Sequence, residues 1–212
     1  MLIRDNYYDH KRGQIQQLVL EVLDNLQQMM EHFDTYLVKP TNDNKAFILE
    51  NEDYIDSNEK KVEKYILEII SLEQLDTSAI KWLFAMSRII RELERVGDQL
   101  TNIITISDVI DTNILRPMIR SFFDYEKDMM TWLTAGIQDD NAEKLHDVMS
   151  HDAYVNHLNK ETYQDLVDLI NEDEQLTESR LKMVIISRFL ERIGDHLVNA
   201  ARTYKDAIEV YQ

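Results

Sequence analysis

Glu94-Arg95-Val96-Gly97-Asp98-Gln99-Leu100-Thr101-Asn102 returns, with few changes, as Glu191-Arg192-Ile193-Gly194-Asp195-His196-Leu197-Val198-Asn199. Arg91 and Leu93 recur as Arg188 and Leu190 at the same offset of 97 (Glu94 to Glu191). Further upstream the offset is 100. Glu52, Tyr54-Ile55-Asp56 and Lys60 face Asp152, Tyr154-Val155-Asn156 and Lys160, and Met29-Met30 face Met129-Met130. The three-residue difference falls in the turn before the last element, where an insertion or deletion costs least. Self-similarity at a fixed spacing marks one supersecondary unit used more than once. The chain therefore reads as two copies dividing near Asn113, as 1–113 and 114–212.

Each copy reads as three helices. Apolar residues at Ile15, Leu18, Val19, Val22, Leu26, Met29, Met30, Phe33 and Leu37 form one stripe at the helical period over about Gly13–Val38. Lys39-Pro40 ends it, because the residue before proline avoids the α region. Thr41 is placed to cap a second helix running to about Leu75, with a stripe at Phe47, Ile48, Ile55, Val62, Ile66, Ile69 and Ile70. Asp76-Thr77-Ser78 caps a third, carrying Ile80, Leu83, Ile90, Leu93, Leu100 and Ile104 and fraying near Asp111-Thr112-Asn113. Pro117 suits the first turn of a fourth helix, which ends near Ala135 before Gly136. A fifth runs to about Asn171, and Thr177 caps a sixth that reaches the C-terminus. The expected fold is all-α, six helices in two tandem three-helix bundles. Gly97 and Gly194 sit mid-helix, where glycine is costly, so another helix is expected to approach closely there.

Composition supports this reading and excludes others. With only four glycines and two prolines the chain lacks the tight turns of a sandwich or barrel. Forty acidic against 23 basic residues give a formal net charge of −17, which argues against a broad nucleic-acid-binding face and against capture of free phosphate unless a cation lies between. Zero cysteine removes disulfides, iron–sulfur clusters and thiolate zinc sites. No apolar run is long enough to span a membrane, and Met1-Leu2-Ile3-Arg4-Asp5 lacks a signal-peptide core. The expected location is cytoplasmic.

The repeated segment carries carboxylates with a geometric consequence. At about 100° per residue, Glu94, Asp98 and Asn102 form a ladder on one face of the third helix, away from Leu93, Gly97, Leu100 and Ile104. Glu52, Asp56, Glu59 and Glu63 share one face of the second. Folding the hairpin at residue 76 sets Asp56 opposite residue 96, between Glu94 and Asp98, and Glu52 opposite Leu100. Folding the other near residue 174 sets Asp152 opposite His196 and Asn156 opposite Arg192, which flank Asp195 and Glu191. Acidic side chains gathered at one height repel unless a cation joins them, and oxygen donors suit magnesium, calcium, manganese or iron. The expected ligands are Glu52, Asp56, Glu94 and Asp98 in the first copy, and Asp152, Asn156, Glu191 and Asp195 in the second. Arg91, Arg95, Asn102 and their counterparts Arg188, Arg192 and Asn199 are expected to support them. Asn156 offers an oxygen without charge, so the second site is expected to bind more weakly. His151 and His196 adjoin ligand positions and are candidates for a supplementary role.

The doubled Glu-Arg-(Val/Ile)-Gly-Asp-x-x-x-x-Asn, with Glu50-Asn51-Glu52-Asp53-Tyr54-Ile55-Asp56 before it, resembles the PhoU family of phosphate-signalling regulators from about Tyr8 to Tyr204. The resemblance implies two tandem three-helix bundles and no enzymatic activity. It implies metal clusters on the acidic motifs, with iron, manganese, zinc or magnesium as the metal, and action with the phosphate ABC transporter and its sensor histidine kinase to repress phosphate-starvation genes. It also implies a peripheral position at the inner face of the membrane and is compatible with a homodimer. Many members carry Asp-Leu-Arg at the start of the third helix, where Ala79-Ile80-Lys81 stands here. The acidic stretch before Asp56 is equally similar to PhoU-like units that work with sodium–phosphate cotransporters.

Two other readings compete. A di-iron carboxylate enzyme needs two Glu-x-x-His pairs, and Glu143-Lys144-Leu145-His146 is the only one. An adaptor without metal would use Trp82, Trp132 or Tyr7-Tyr8 as partner anchors. No Ser/His/Asp set, glycine-rich phosphate loop or Walker motif supports a hydrolase or kinase.

Overall fold

The computed structural model describes residues 2–173 and 177–209, with side chains at 7–108, 110–151, 153–164, 167–168 and 177–209. Its elements are α1 (Leu2–Val38), α2 (Asn42–Leu72), α3 (Thr77–Ile106), a 3-10 turn (Ser107–Val109), α4 (Thr112–Gln138), α5 (Ala142–Asp173) and α6 (Glu178–Ile208). Among the described residues there is no strand. The chain is all-α with two three-helix units in tandem, as the repeat requires. No helix among the described residues is long and apolar enough to cross a membrane.

The expected caps form. Thr41 accepts from the amide of Asn44, Asp76 from Ala79 and Thr177 from Arg180, each satisfying an orphan donor of the first turn.

Three boundaries differ from expectation. Helix α1 begins at Leu2 instead of near Gly13. The added turns are held from outside, by Lys11 paired to Glu68 at 3.0 Å and by Arg12 lying 4.9 Å over the Trp82 ring. Helix α4 begins before Pro117, because Asp111 caps it by accepting from Asn113. It also passes through Gly136 to Gln138. A side chain on Gly136 would meet Leu145 of α5 at 2.6 Å, so this glycine serves packing. Past the Asp139 cap, the φ of 50° at Asp140 turns the chain so that the Asn141 amide reaches the Gly136 carbonyl at 3.0 Å, a Schellman closure. Asn141 then caps α5 through the amides of Glu143 and Lys144.

The two units share one core. Helix α1 packs on α4 and α3 packs on α6, each against its own repeat counterpart, while α2 lies on α1 and α3 and α5 lies on α4 and α6. The result is an inner layer of four helices flanked by two outer ones. Met29, Met30, Met129 and Met130 are all fully buried within it, and Phe33 meets Phe123 edge to face at 5.6 Å. Polar contacts also join the halves: Gln16 donates to the Ile137 carbonyl at 2.6 Å, and Lys127 pairs with Asp34. Ile70 and Ile80, expected in apolar stripes, are 48% and 39% exposed.

Candidate metal centre

Helices α2 and α3 approach closely because Gly97 has no side chain. A Cβ there would stand 3.2 Å from Ile55 Cδ1. Ile55 precedes Asp56, and Gly97 precedes Asp98, so the contact that closes the helices also sets the height of the carboxylates. Asp56, Glu59 and Glu94 each place a carboxylate oxygen within 4.8 Å of the others, all three half-buried. Glu52 and Asp98 stand close enough to act on them electrostatically.

The crowding is visible in the proton affinities. Burial, then the charges of Asp98, Glu59 and Asp56, push Glu94 up to about 7. Burial and Asp56 raise Asp98 against the opposing charges of Arg95 and His196. Burial, then Asp56, Asp98 and Asp53, raise Glu52. Glu52, Glu94 and Asp98 are thus held where their charged forms are disfavoured, and a cation among them would relieve that crowding. Convergent carboxylate oxygens with no sulfur or described histidine among them suit a hard cation, so Asp56, Glu59 and Glu94, with Glu52 and Asp98 beside them, fit the group that the acidic motifs imply.

Glu59 was not among the expected ligands, although it shares a face with Asp56 and stands opposite residue 93 in the folded hairpin. The ExxxD spacing drew attention to Glu52 and Asp56, and the hairpin levels would have added Glu59. Arg91 pairs with Glu59 at 3.5 Å and with Glu63 at 2.8 Å. Arg95 pairs with Glu92 at 3.0 Å, and Asn102 is exposed.

The second unit repeats the packing with different chemistry. A Cβ on Gly194 would stand 2.9 Å from Val155 Cγ1, so α5 and α6 also meet at this level. Glu191 is engaged by Arg188 at 2.6 Å. Asn156, Asp195, Arg192 and Asn199 are exposed, and the side chain of Asp152 lies outside the described residues. Among the described residues the triad in the first unit is the only acidic group gathered closely enough to hold an ion.

Neither candidate histidine joins that triad. His196 crosses from α6 to α3, where its Nδ1 lies 2.7 Å from Glu92. His151 sits among Tyr125, Trp132 and Tyr154, with Trp132 edge-on at 4.8 Å. Of the proposed partner anchors, Trp82 is 4% exposed and belongs to the core, while Trp132, Tyr7 and Tyr8 are half-buried.

Sequence reasoning also missed Glu126. It is fully buried on α4, both carboxylate oxygens lack a hydrogen-bond partner among the described residues, and burial alone raises its pKa well above the usual carboxylate range. Its counterpart at an offset of 100 is Leu26.

Comparison with known proteins gives a consistent result. The family model described as "PhoU domain" matches residues 13–107 and again 119–203. The chain is 24% identical over 204 residues to a phosphate-specific transport system accessory protein PhoU homolog of Borreliella burgdorferi, covering 92% of this chain and 86% of that protein. A homolog of the same description from Clostridium acetobutylicum is 21% identical over 160 residues, covering 74% and 73%. The crystal structure of PhoU from Pseudomonas aeruginosa superposes with a TM-score of 0.87 at 18% identity, covering 95% of this chain and 98% of that one. The phosphate transport system regulatory protein PhoU from Streptococcus pneumoniae gives 0.78 at 14%, covering 93% and 94%.

Proposed function

Because this chain belongs to the PhoU family, we propose that it is a non-enzymatic accessory protein of phosphate transport, built as units 1–113 and 114–212, that represses phosphate-starvation genes when phosphate is ample. The observation that carries the reading is the doubled domain, which occupies most of the chain. Its partners are the phosphate ABC transporter and the sensor histidine kinase, met at the inner face of the membrane. The relatives' description as transport-system accessory proteins supports this.

In this reading a divalent cation occupies the first unit, held by Asp56, Glu59 and Glu94 with Glu52 and Asp98 beside them. When bound, it neutralises the crowded carboxylates and ties α2 to α3. The chain's own residues set its position: Gly97 and Ile55 fix the helix spacing, and Arg91 restrains Glu59. The role is structural or bridging.

Deletion of the gene, with phosphate uptake and alkaline phosphatase measured in phosphate-rich medium, tests the regulatory role. Derepression of both is expected, and unchanged levels would point away from it. Elemental analysis of the purified protein tests the cation separately.

A further inference from the structure

The chain as a whole is strongly acidic, with a formal net charge of −17. Yet the outer seam between α3 and α6 forms a groove of about 340 Å³ whose lining includes Arg88, Arg91, Arg95 and Arg202 with Asn199 and Thr203. Arg91 is taken up by Glu59 and Glu63, and Arg95 by Glu92. Glu92, the one carboxylate in the lining, is engaged by both Arg95 and His196. Arg88 and Arg202 come from different helices, face the same concavity and have no carboxylate partner among the described residues. Neutral donors, the Asn199 amide and the Thr203 hydroxyl, stand beside them.

We propose that this groove binds a phosphate-type oxyanion, with Arg88 and Arg202 as its primary contacts. The guanidinium fork presents paired N–H donors at the spacing of two phosphate oxygens. At physiological salt, charges beyond about 8 Å are largely screened, so the local arginines, not the net charge of the whole chain, set the sign of the potential here. The groove also continues past Arg88 and Thr203 into a second hollow of about 280 Å³ lined by Phe84 and Ile80 together with one cation, Lys81, and one carboxylate, Asp206. Phe84 is 61% exposed, an apolar shelf beside the cationic seat. A phosphate carried on an organic body would use both halves, and an inorganic anion only the first. The groove adjoins the α2–α3 carboxylates only through Arg91, which pairs with Glu59 and Glu63, and the proposal does not rest on the regulatory reading.

Calorimetric titration of the full chain in metal-free buffer tests the proposal, with inorganic pyrophosphate and ATP as probes. At least one of the two is expected to bind. Its affinity is expected to fall at least about tenfold in R88A/R202A, while R116A/R120A, which removes two arginines elsewhere, leaves it unchanged. If Phe84→Ala weakens ATP and not pyrophosphate, the ligand is an organic phosphate; if neither changes, it is inorganic. Circular dichroism on each variant separates lost binding from lost fold. Failure of both anions to bind, or an equal loss in the two arginine double variants, overturns the proposal.

Discussion

The two units of this chain have the same three-helix arrangement and a matching mid-helix glycine contact, Gly97 on Ile55 and Gly194 on Val155, and they differ at the places where charge is buried. In the first, Asp56, Glu59 and Glu94 converge. In the second, the positions of Asp56 and Glu59 hold Asn156 and Asn159, and Glu191 turns to Arg188. In the core the asymmetry is reversed, with Leu26 in the first unit and Glu126 in the second. Duplication here has kept the packing that lets α2 meet α3 and α5 meet α6. It has not kept the chemistry laid on that packing.

The largest expected effect follows from the core difference. Glu126→Leu gives the second unit the residue of the first and should stabilise the protein by about 2–3 kcal/mol at pH 7, since a buried carboxyl without partners is removed. Because the native state raises the pKa of Glu126 above its ordinary 4.5, it holds that proton more tightly than the unfolded chain. Wild-type stability therefore falls as pH rises above that value, and the variant should lack this part of the slope. Thermal melts from pH 4 to 8 on both proteins check it.

The site difference can be broken in two directions. Asp56→Asn with Glu59→Asn makes the first unit resemble the second, and manganese affinity should fall on the order of tenfold or more, equivalent to about 1.4 kcal/mol. Asn156→Asp with Asn159→Glu should create measurable binding in the second unit. Isothermal titration on both pairs reads the outcome.

The glycine contacts should separate the units more finely. Ala at 194 presses on the branched, rotamer-restricted Val155 at 2.9 Å, and should cost about 1–2 kcal/mol. Ala at 97 meets the tip of Ile55 at 3.2 Å and Leu26 at an ordinary 3.8 Å. The gain in helix propensity should bring G97A to within about 0.5 kcal/mol of wild type. Denaturant midpoints decide between them. The smallest effect concerns protons. A cation must displace the proton from Glu94, whose pKa is about 7. Manganese affinity should therefore rise about twofold between pH 7 and pH 8.

Much of this was legible in the chain. The nine-residue repeat and the cap residues Thr41, Asp76 and Thr177 define six helices without further help, and Gly97 and Gly194 mark the close approaches. The start of α1 was not legible, because Lys11 and Arg12 are held by Glu68 and Trp82, partners distant in sequence. The start of α4 was read from Pro117, whereas Asp111, taken in sequence only as the frayed end of the third helix, caps α4 upstream of the proline. Glu59 was within reach of the hairpin arithmetic and was passed over for a motif spacing. The turn of His196 toward Glu92 depends on how one unit docks on the other, which no periodicity within a unit reports.

The most direct test is anomalous diffraction from crystals soaked in manganese. The account predicts a strong peak between α2 and α3, bounded by Asp56, Glu59 and Glu94, with a weaker peak or none beside Glu191 and Asp195. A peak confined to the second unit, or none in either, would contradict it.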